Sequence, residues 1–268
     1  MTSRKFGDNT GLSGIGLVVC IGVFDGLHLG HLAVIDRTVS LARENGWESM
    51  AITFSANPKM EKGAQERLPG LTSPAFFEEI LSSRGINHHC VIDFSDDMSK
   101  LTGEEFIALL CTSYRVRAMV VGDSFRAGRP PYDAGPSEIA ELLRKYTSSA
   151  YLRVLPPVVV DGTVVSSSAI RRCLLTGDLG KASGLLGRAY SLDLRNVSFE
   201  MQSPESSQNR LFYDVRTLGL LLPKAGEYEV EATAEGITCR GKAFVSENRL
   251  ALELPVRTIP DGITFLGA

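Results

Sequence analysis

Short apolar runs alternate with helix-like segments over the first 155 residues of the chain. Five of these runs predict buried strands, at 17–21, 49–54, 90–94, 118–121 and 150–155. Between them, helical spacing of apolar residues and capping signals predict helices over 32–43, 74–84, 102–112 and 136–146. Strands separated by helices of about ten residues are typical of a parallel sheet with helices on both faces. The pattern therefore predicts an α/β fold with a doubly wound parallel sheet.

The pattern changes towards the C-terminus, where polar and apolar residues alternate. Residues 226–232 and 250–254 alternate in this way, which is typical of half-exposed strands, and no helical period is evident beyond residue 191. Two polar stretches predict a long flexible loop over 55–73 and a linker or exposed loop over 202–209. We therefore expect a flexible tail over 1–15, an α/β domain over 16–190 and a small antiparallel β module over 191–268.

The stretch GVFDGLHLGH, residues 22–31, lies where the first predicted strand ends and the first helix begins. A helix start offers unpaired main-chain N–H groups and a partial positive charge, which favour phosphate. The glycines at 22, 26 and 30 allow a ligand to approach the main chain closely. His28 and His31 share one face of the first helical turn and can donate hydrogen bonds to phosphate oxygens. The alternative is a glycine-rich turn with two surface histidines, but half of the chain's four histidines lie here, which favours a phosphate site.

A second stretch, VSSSAIRR at 165–172, also has the composition of a phosphate site. The serines at 166, 167 and 168 predict a helix cap, and Arg171 lies one turn beyond the last of them. Hydroxyls, unpaired N–H groups and a guanidinium together bind oxyanions through charge-assisted hydrogen bonds. Alone, the stretch is better interpreted as a plain serine cap with a solvated arginine. Its pairing with the histidine stretch favours phosphate.

Three loops follow predicted strands of the sheet, at 22–31, 53–58 and 122–129. In doubly wound sheets, ligands bind beyond the carboxyl ends of the strands, where the strand order reverses. We therefore expect these loops to converge on a nucleotide site.

Composition limits the partners and the compartment. A net charge of -3 gives no basic field, so nucleic-acid binding is not indicated. No apolar stretch is long enough to span a membrane.

The five cysteines are scattered and lack CxxC spacing, which favours a reducing cytoplasm. The run His88-His89-Cys90 suggests zinc, but neighbouring residues on a strand point to opposite faces, so the entrance of a strand is the preferred interpretation. The oligomeric state is not set by the sequence.

With these motifs in place, residues 16–190 resemble the bacterial bifunctional riboflavin kinase/FMN adenylyltransferase family, commonly called FAD synthetases. The similarity lies in the HxGH stretch, LTS at 71–73, the loop at 122–128, the serine–arginine motif and LGRAYS at 186–191. It implies a Rossmann-like nucleotidyltransferase domain that joins FMN to the AMP moiety of ATP and releases pyrophosphate, with Mg²⁺. ATP and FMN are then the substrates, and we expect no nucleic-acid or membrane partner.

The resemblance also implies roles for individual residues. Catalytic roles fall to His28, His31 and Arg171, which would neutralise the ATP phosphates. Asp25 either orients its turn or approaches the metal, and no protein ligand to the metal is assigned. Nucleotide or phosphate binding falls to Gly22, Phe24, Asp25, Gly26, Gly30, Ser166, Ser167 and Ser168. The flavin or adenine pocket is expected at Phe54, Asn57, Asp123, Ser124, Phe125 and Arg126.

Several positions depart from the family pattern. Asn57 stands where a histidine is expected, Ser124 where Asp or Asn is usual, and Ala127 where a second phenylalanine is usual. The C-terminal module contains LLPKAGEYEV at 221–230, similar to a family strand, but no PTAN motif for Mg²⁺ and ATP. We therefore expect a degenerate kinase module and FAD synthesis without riboflavin phosphorylation. The alternatives are a nucleotidyltransferase for another phosphorylated small molecule and a non-catalytic flavin- or nucleotide-binding protein.

Overall fold

The computed structural model describes residues 1–54, 69–93, 96–201, 210–247, 249–255 and 259–267. The chain divides into two compact units. The first comprises Met1–Phe24, Gly30–Arg67 and Glu78–Val158, and the second comprises Asp25–Leu29, Leu68–Phe77 and Val159–Ala268. Among the residues described, no helix combines the length and apolar character needed to cross a lipid bilayer.

The first unit contains a sheet of six strands in which every neighbouring pair is parallel. Its strands, in chain order, are β1 (Thr2–Lys5), β2 (Leu17–Ile21), β3 (Glu48–Phe54), β4 (His88–Ile92), β5 (Val116–Gly122) and β6 (Tyr151–Leu155). They lie in the order β1-β4-β3-β2-β5-β6, so the order reverses between β2 and β5. All five residues of β2 are buried, as expected for a central strand covered on both faces. The predicted doubly wound parallel sheet is confirmed.

Strand β1 corrects the prediction of a loose N-terminal tail. Thr2–Lys5 pairs in parallel with β4, in the register Thr2↔His88 to Lys5↔Val91. The strand is polar and mostly exposed, so it carries no hydrophobic periodicity. Its place in the sheet comes from main-chain hydrogen bonds at an edge.

The predicted helices are present, with ends that differ by a few residues. In the described part of the chain, the helices that precede the second sheet are α1 (Leu29–Asn45), α2 (Pro74–Ser83), α3 (Asp96–Lys100), α4 (Gly103–Ser113), α5 (Pro136–Tyr146), α6 (Ser167–Thr176) and α7 (Leu179–Leu186). Helix α4 has the predicted capping box between Thr102 and Glu105. Ser166 caps α6 by accepting a hydrogen bond from the Ala169 N–H. A short hairpin of β7 (Val159–Val160) and β8 (Thr163–Val164) precedes α6.

The second unit contains an antiparallel sheet of seven strands, which confirms the predicted β module. Its strands are β9 (Ser191–Asp193), β10 (Phe199–Met201), β11 (Arg210–Asp214), β12 (Gly226–Ala234), β13 (Ile237–Val245), β14 (Arg249–Glu253) and β15 (Gly262–Phe265). The short helix α8 (Val215–Leu218) was not predicted, and neither were α3 and α7. Helices α3 and α8 span only four or five residues, which is too short to show a helical period. The predicted linker over 202–209 and most of the predicted loop over 55–73 lie outside the described residues.

The division into units differs from the predicted boundary at residue 190, because α6 and α7 belong with the antiparallel sheet. One contact that joins them is the hydrogen bond from the Lys224 N–H to the carbonyl of Leu174, which lies in the last turns of α6.

Candidate active site

The histidine turn, residues 22–31, connects β2 to α1 as predicted. Phe24, Gly26 and Leu27 have positive φ angles of 50°, 87° and 41°, so the chain is folded tightly before α1 begins. A Cβ atom on Gly26 would lie 3.1 Å from a side-chain carbon of Leu71, so glycine meets both the angle and the close approach. Gly22 donates its N–H to the carbonyl of Ile52 in β3 and lies beneath the ring of Phe24.

The two histidines lie on either side of the start of α1. His28 directly precedes the helix, and only 6% of its surface is exposed. Burial lowers the pKa of His28 to about 4, against the opposing influence of its main-chain hydrogen bond and Asp25, so its imidazole is neutral near pH 7. His31 lies one residue after Gly30 in the first turn of α1, and its ring meets Phe24 edge to face at 5.3 Å.

Asp25 joins three segments of the second unit that are far apart in sequence. One carboxylate oxygen accepts the Leu71 N–H at 2.8 Å, and the other accepts the Arg171 guanidinium at 2.7 Å. The main-chain carbonyl of Asp25 accepts the hydroxyl of Ser167 at 2.8 Å. These contacts hold Asp25 against two other segments of the chain, with one hydrogen bond to each carboxylate oxygen.

The serine–arginine motif forms the start of α6. The Ser166 hydroxyl caps the helix and that of Ser167 bonds to Asp25, whereas the Ser168 side chain is exposed. Arg171 also donates to the carbonyl of Pro69 at 2.7 Å. The structure thus brings Asp25, Ser167 and Arg171 together, and it uses Arg171 to hold the protein's own main chain.

Arg188 contacts the histidine turn although sequence reasoning gave it no role. Its guanidinium donates to the carbonyl of Gly26 at 2.7 Å and to that of Leu27 at 3.0 Å. The LGRAYS stretch that contains Arg188 is notable in the sequence only for its family resemblance. Contacts that join residues more than 160 positions apart leave no spacing signal in the sequence.

The described residues expected in a flavin or adenine pocket lie at the end of β3 and in the loop after β5, in the first unit. Phe54 and Phe125 are partly buried against the same apolar core. Asp123 and Ser124 are exposed, and Arg126 lies 3.9 Å from the carboxylate of Asp133. Asn57 lies outside the described residues.

Ala127 lies in the core and not at the surface of its loop. Only 2% of it is exposed, and its main chain exchanges two hydrogen bonds with Ala134. The next residue, Gly128, has φ 86°, and a Cβ there would lie 2.3 Å from the N atom of Gly103. This loop is therefore packed too closely against the start of α4 for the larger side chain expected at 127.

The described residues contain no group of three or more histidine, cysteine, aspartate or glutamate side chains that could hold a metal ion. Among those residues, Asp25 is the carboxylate of the histidine turn, and Arg171 already pairs with its charge. His88 and His89 lie in β4, where each has its own partners: His88 contacts Glu48, and the ring of His89 bonds to the Thr53 hydroxyl at 2.8 Å.

The parallel sheet, its reversal of strand order beside β2 and the HxGH turn that follows β2 are typical of a nucleotide-binding α/β domain. A sequence model described as FAD synthetase matches residues 13–169, more than half of the chain. The chain belongs to the FAD synthetase family.

Individual relatives agree with this assignment. A bifunctional riboflavin kinase/FMN adenylyltransferase of Listeria monocytogenes is 24% identical over 242 residues, 87% of this chain and 73% of the relative. A FAD synthetase of the same organism is 29% identical over 176 residues, 65% of this chain and 69% of the relative. The crystal structure of a macrolide-efflux protein from Streptococcus pneumoniae superposes on this protein with a TM-score of 0.81 and 21% sequence identity. The superposition includes 100% of this chain and 90% of the other chain. That likeness shows the fold alone.

Proposed function

We propose that the protein transfers the AMP moiety of ATP to FMN, which forms FAD and releases pyrophosphate. The observation that carries the proposal is the cluster around Asp25, in which residues 25–29 of the histidine turn and the serine–arginine motif are joined within one unit. FMN as the acceptor is supported by membership of the FAD synthetase family and by the names of the relatives.

The proposed chemistry is a direct displacement. A phosphate oxygen of FMN attacks the α-phosphorus of ATP, and the bond from that phosphorus to the oxygen that bridges to the β-phosphate breaks. The electron pair of that bond leaves with pyrophosphate. Such a reaction needs alignment and neutralisation of charge, and it needs no nucleophile from the protein.

The roles of the residues follow from their chemistry. His28 and His31 donate hydrogen bonds to the ATP phosphates, and His28 supplies an N–H without a positive charge because its low pKa keeps it neutral. Ser168 has an exposed hydroxyl beside the unpaired N–H groups of the α6 start, where the β- and γ-phosphates bind. Arg171 brings its positive charge to the same place while its pairing with Asp25 fixes its direction.

ATP is proposed to enter as its Mg²⁺ complex, so the ion belongs to the substrate. Mg²⁺ commonly binds through substrate phosphates and water with few protein ligands. The five cysteines are free thiols, and on that ground we place the reaction in a reducing cytoplasm. We further propose that the C-terminal module does not phosphorylate riboflavin.

The experiment offers the purified protein ATP and Mg²⁺, with FMN in one tube and riboflavin in the other. We expect FAD from FMN and no FMN from riboflavin. Arg171→Ala should lower turnover about 10²–10³-fold. Arg172→Ala is the matched control, since this neighbouring arginine is exposed on the same helix. His31→Ala should lose turnover to a similar extent.

The outcomes separate the parts of the proposal. Formation of FMN from riboflavin would overturn the absence of kinase activity and leave the adenylyl transfer standing. Folded wild-type protein that makes no FAD would overturn the choice of FMN and direct the search to another phosphorylated acceptor. Equal turnover of the two arginine variants would remove Arg171 from the mechanism.

A further inference from the structure

The chain returns from the end of α7 directly onto the histidine turn. Gly187 caps α7 with φ 73°, and a Cβ at that position would lie only 2.4 Å from a side-chain carbon of Leu29. The end of α7 is thereby pressed against the residue that follows His28. The next residue, Arg188, directs its guanidinium at the two carbonyls that precede His28, those of Gly26 and Leu27.

Arg188 donates to these carbonyls where the chain is in an unusual conformation. Gly26 and Leu27 both have positive φ angles, a conformation that cannot be extended as helix or strand. Leu27 is fully buried, and a residue other than glycine is strained in this left-handed conformation. Two hydrogen bonds from a positively charged guanidinium, stronger than bonds between neutral groups, favour the conformation in spite of that strain.

The guanidinium is itself held in place. It lies over the ring of Phe76, with its central carbon 5.5 Å from the ring centre, and it is 3.5 Å from the Thr72 hydroxyl. A planar fork that reaches two carbonyls while it packs on an aromatic ring is a geometry that lysine cannot reproduce.

We propose that Arg188 is a positioning residue for His28, because its fork fixes the carbonyls of Gly26 and Leu27 and so sets the direction of the imidazole. The inference rests on the proposed function, in which His28 binds the ATP phosphates. Arg188 itself is assigned no contact with substrate.

Electrostatics supports the same connection. Two charged side chains act on His28: Asp25 raises its pKa, and Arg188 lowers it, in addition to the larger effect of burial. Removal of the guanidinium charge should therefore raise the pKa of His28, whereas a lysine at the same position keeps the charge and loses the fork. The two substitutions separate the charge of Arg188 from its geometry.

The test compares Arg188→Lys and Arg188→Ala with the wild type, with Arg172→Ala as the control. For Arg188→Lys we expect kcat for FAD formation to fall about 10- to 100-fold, with a smaller change in KM for ATP, because misplacement of a group by an ångström has effects of that size. The pKa of His28, followed by NMR without substrates, should rise in Arg188→Ala and stay near the wild-type value in Arg188→Lys. Arg172→Ala should match the wild type in both measurements.

In Arg188→Lys the charge is kept and the fork is lost, so a change in the chemical shift of the His28 ring there reports a change in its position. This readout needs no turnover, so it also decides the inference if the wild type makes no FAD and the proposed function fails. The inference is overturned if both Arg188 variants keep the wild-type kcat and the wild-type His28 resonance. It is equally overturned if the variants only lower the unfolding temperature while each folded molecule keeps full turnover. If Arg188→Ala does not fold, a wild-type kcat in Arg188→Lys alone overturns it.

Discussion

The protonation of His28 predicts how the stability of the protein depends on pH. In an unfolded chain a histidine binds a proton near pH 6.5, whereas burial lowers the pKa of His28 to about 4 in the folded protein. Between these two values the unfolded state holds more protons than the folded state. Stability from the neutral His28 is therefore fully present above pH 6.5 and is lost as the pH falls towards 4.

The magnitude follows from the two pKa values. A separation of about 2.5 pH units, at about 1.4 kcal/mol for each unit, gives about 3 kcal/mol of unfolding free energy lost by pH 4. This is a large fraction of the total stability of a typical domain. With only 6% of His28 exposed, solvent screening reduces the effect little.

The perturbation is His28→Gln, which keeps a hydrogen-bond donor and removes the titration. Urea unfolding followed by circular dichroism at several pH values between 7.5 and 4 gives the unfolding free energy of both proteins. Burial also lowers the pKa of His89, but that contribution is common to both proteins and cancels in the comparison. We expect the wild type to lose about 3 kcal/mol more than the variant over this range. Parallel curves for the two proteins would refute the burial of a neutral His28.

Three further predictions concern stability and packing. Ala127→Phe should lower the unfolding free energy measured in urea titrations by about 1–3 kcal/mol, because residue 127 lies in the core. Unchanged stability together with tighter FMN binding would show instead that the side chain faces the flavin. Tyr213→Phe should leave the unfolding midpoint in urea unchanged or raised, since the buried Tyr213 hydroxyl has no hydrogen-bond partner among the described residues. Tyr190→Phe should lower the unfolding free energy by about 1 kcal/mol, because the Tyr190 hydroxyl donates to a main-chain carbonyl. Equal losses in the two variants would contradict this difference. Asp25→Asn should lower the unfolding free energy by about 1–3 kcal/mol and should lower turnover, because Arg171 loses its charged partner. Wild-type values of both the unfolding free energy and the turnover would show that the ion pair matters for neither.

The sheet could be predicted from the sequence far more fully than the contacts around the histidine turn. Strand β2 is buried along its whole length, so its run of apolar residues predicts it directly. The helices between the strands show helical periodicity and capping residues in the sequence. Strand β1 was not predicted from the sequence, because it is held by pairing with β4 and not by burial of its side chains. The contacts of Arg188 were not predicted for a related reason. Its motif is visible in the sequence, but only the tertiary structure brings Arg188 to the carbonyls of Gly26 and Leu27.

The site residues divide along the same line. The placement of His28 and His31 at the start of a helix followed from local patterns, as did the serine cap of α6. Whether Asp25 would orient its turn or approach a metal depended on which groups surround it. In the structure these are the Leu71 N–H and the Arg171 guanidinium, neither of which is close to Asp25 in the sequence.

The segment at 69–72 gives the antiparallel module a role that its own chemistry does not explain. Gly70 exchanges main-chain hydrogen bonds with Gly219 and Leu221, and its neighbour Leu71 donates to Asp25 in the histidine turn. Main-chain bonds of this kind survive most changes of side chain. Substitutions in the module can therefore change its surface and its own chemistry while the backbone connection to the histidine turn is kept.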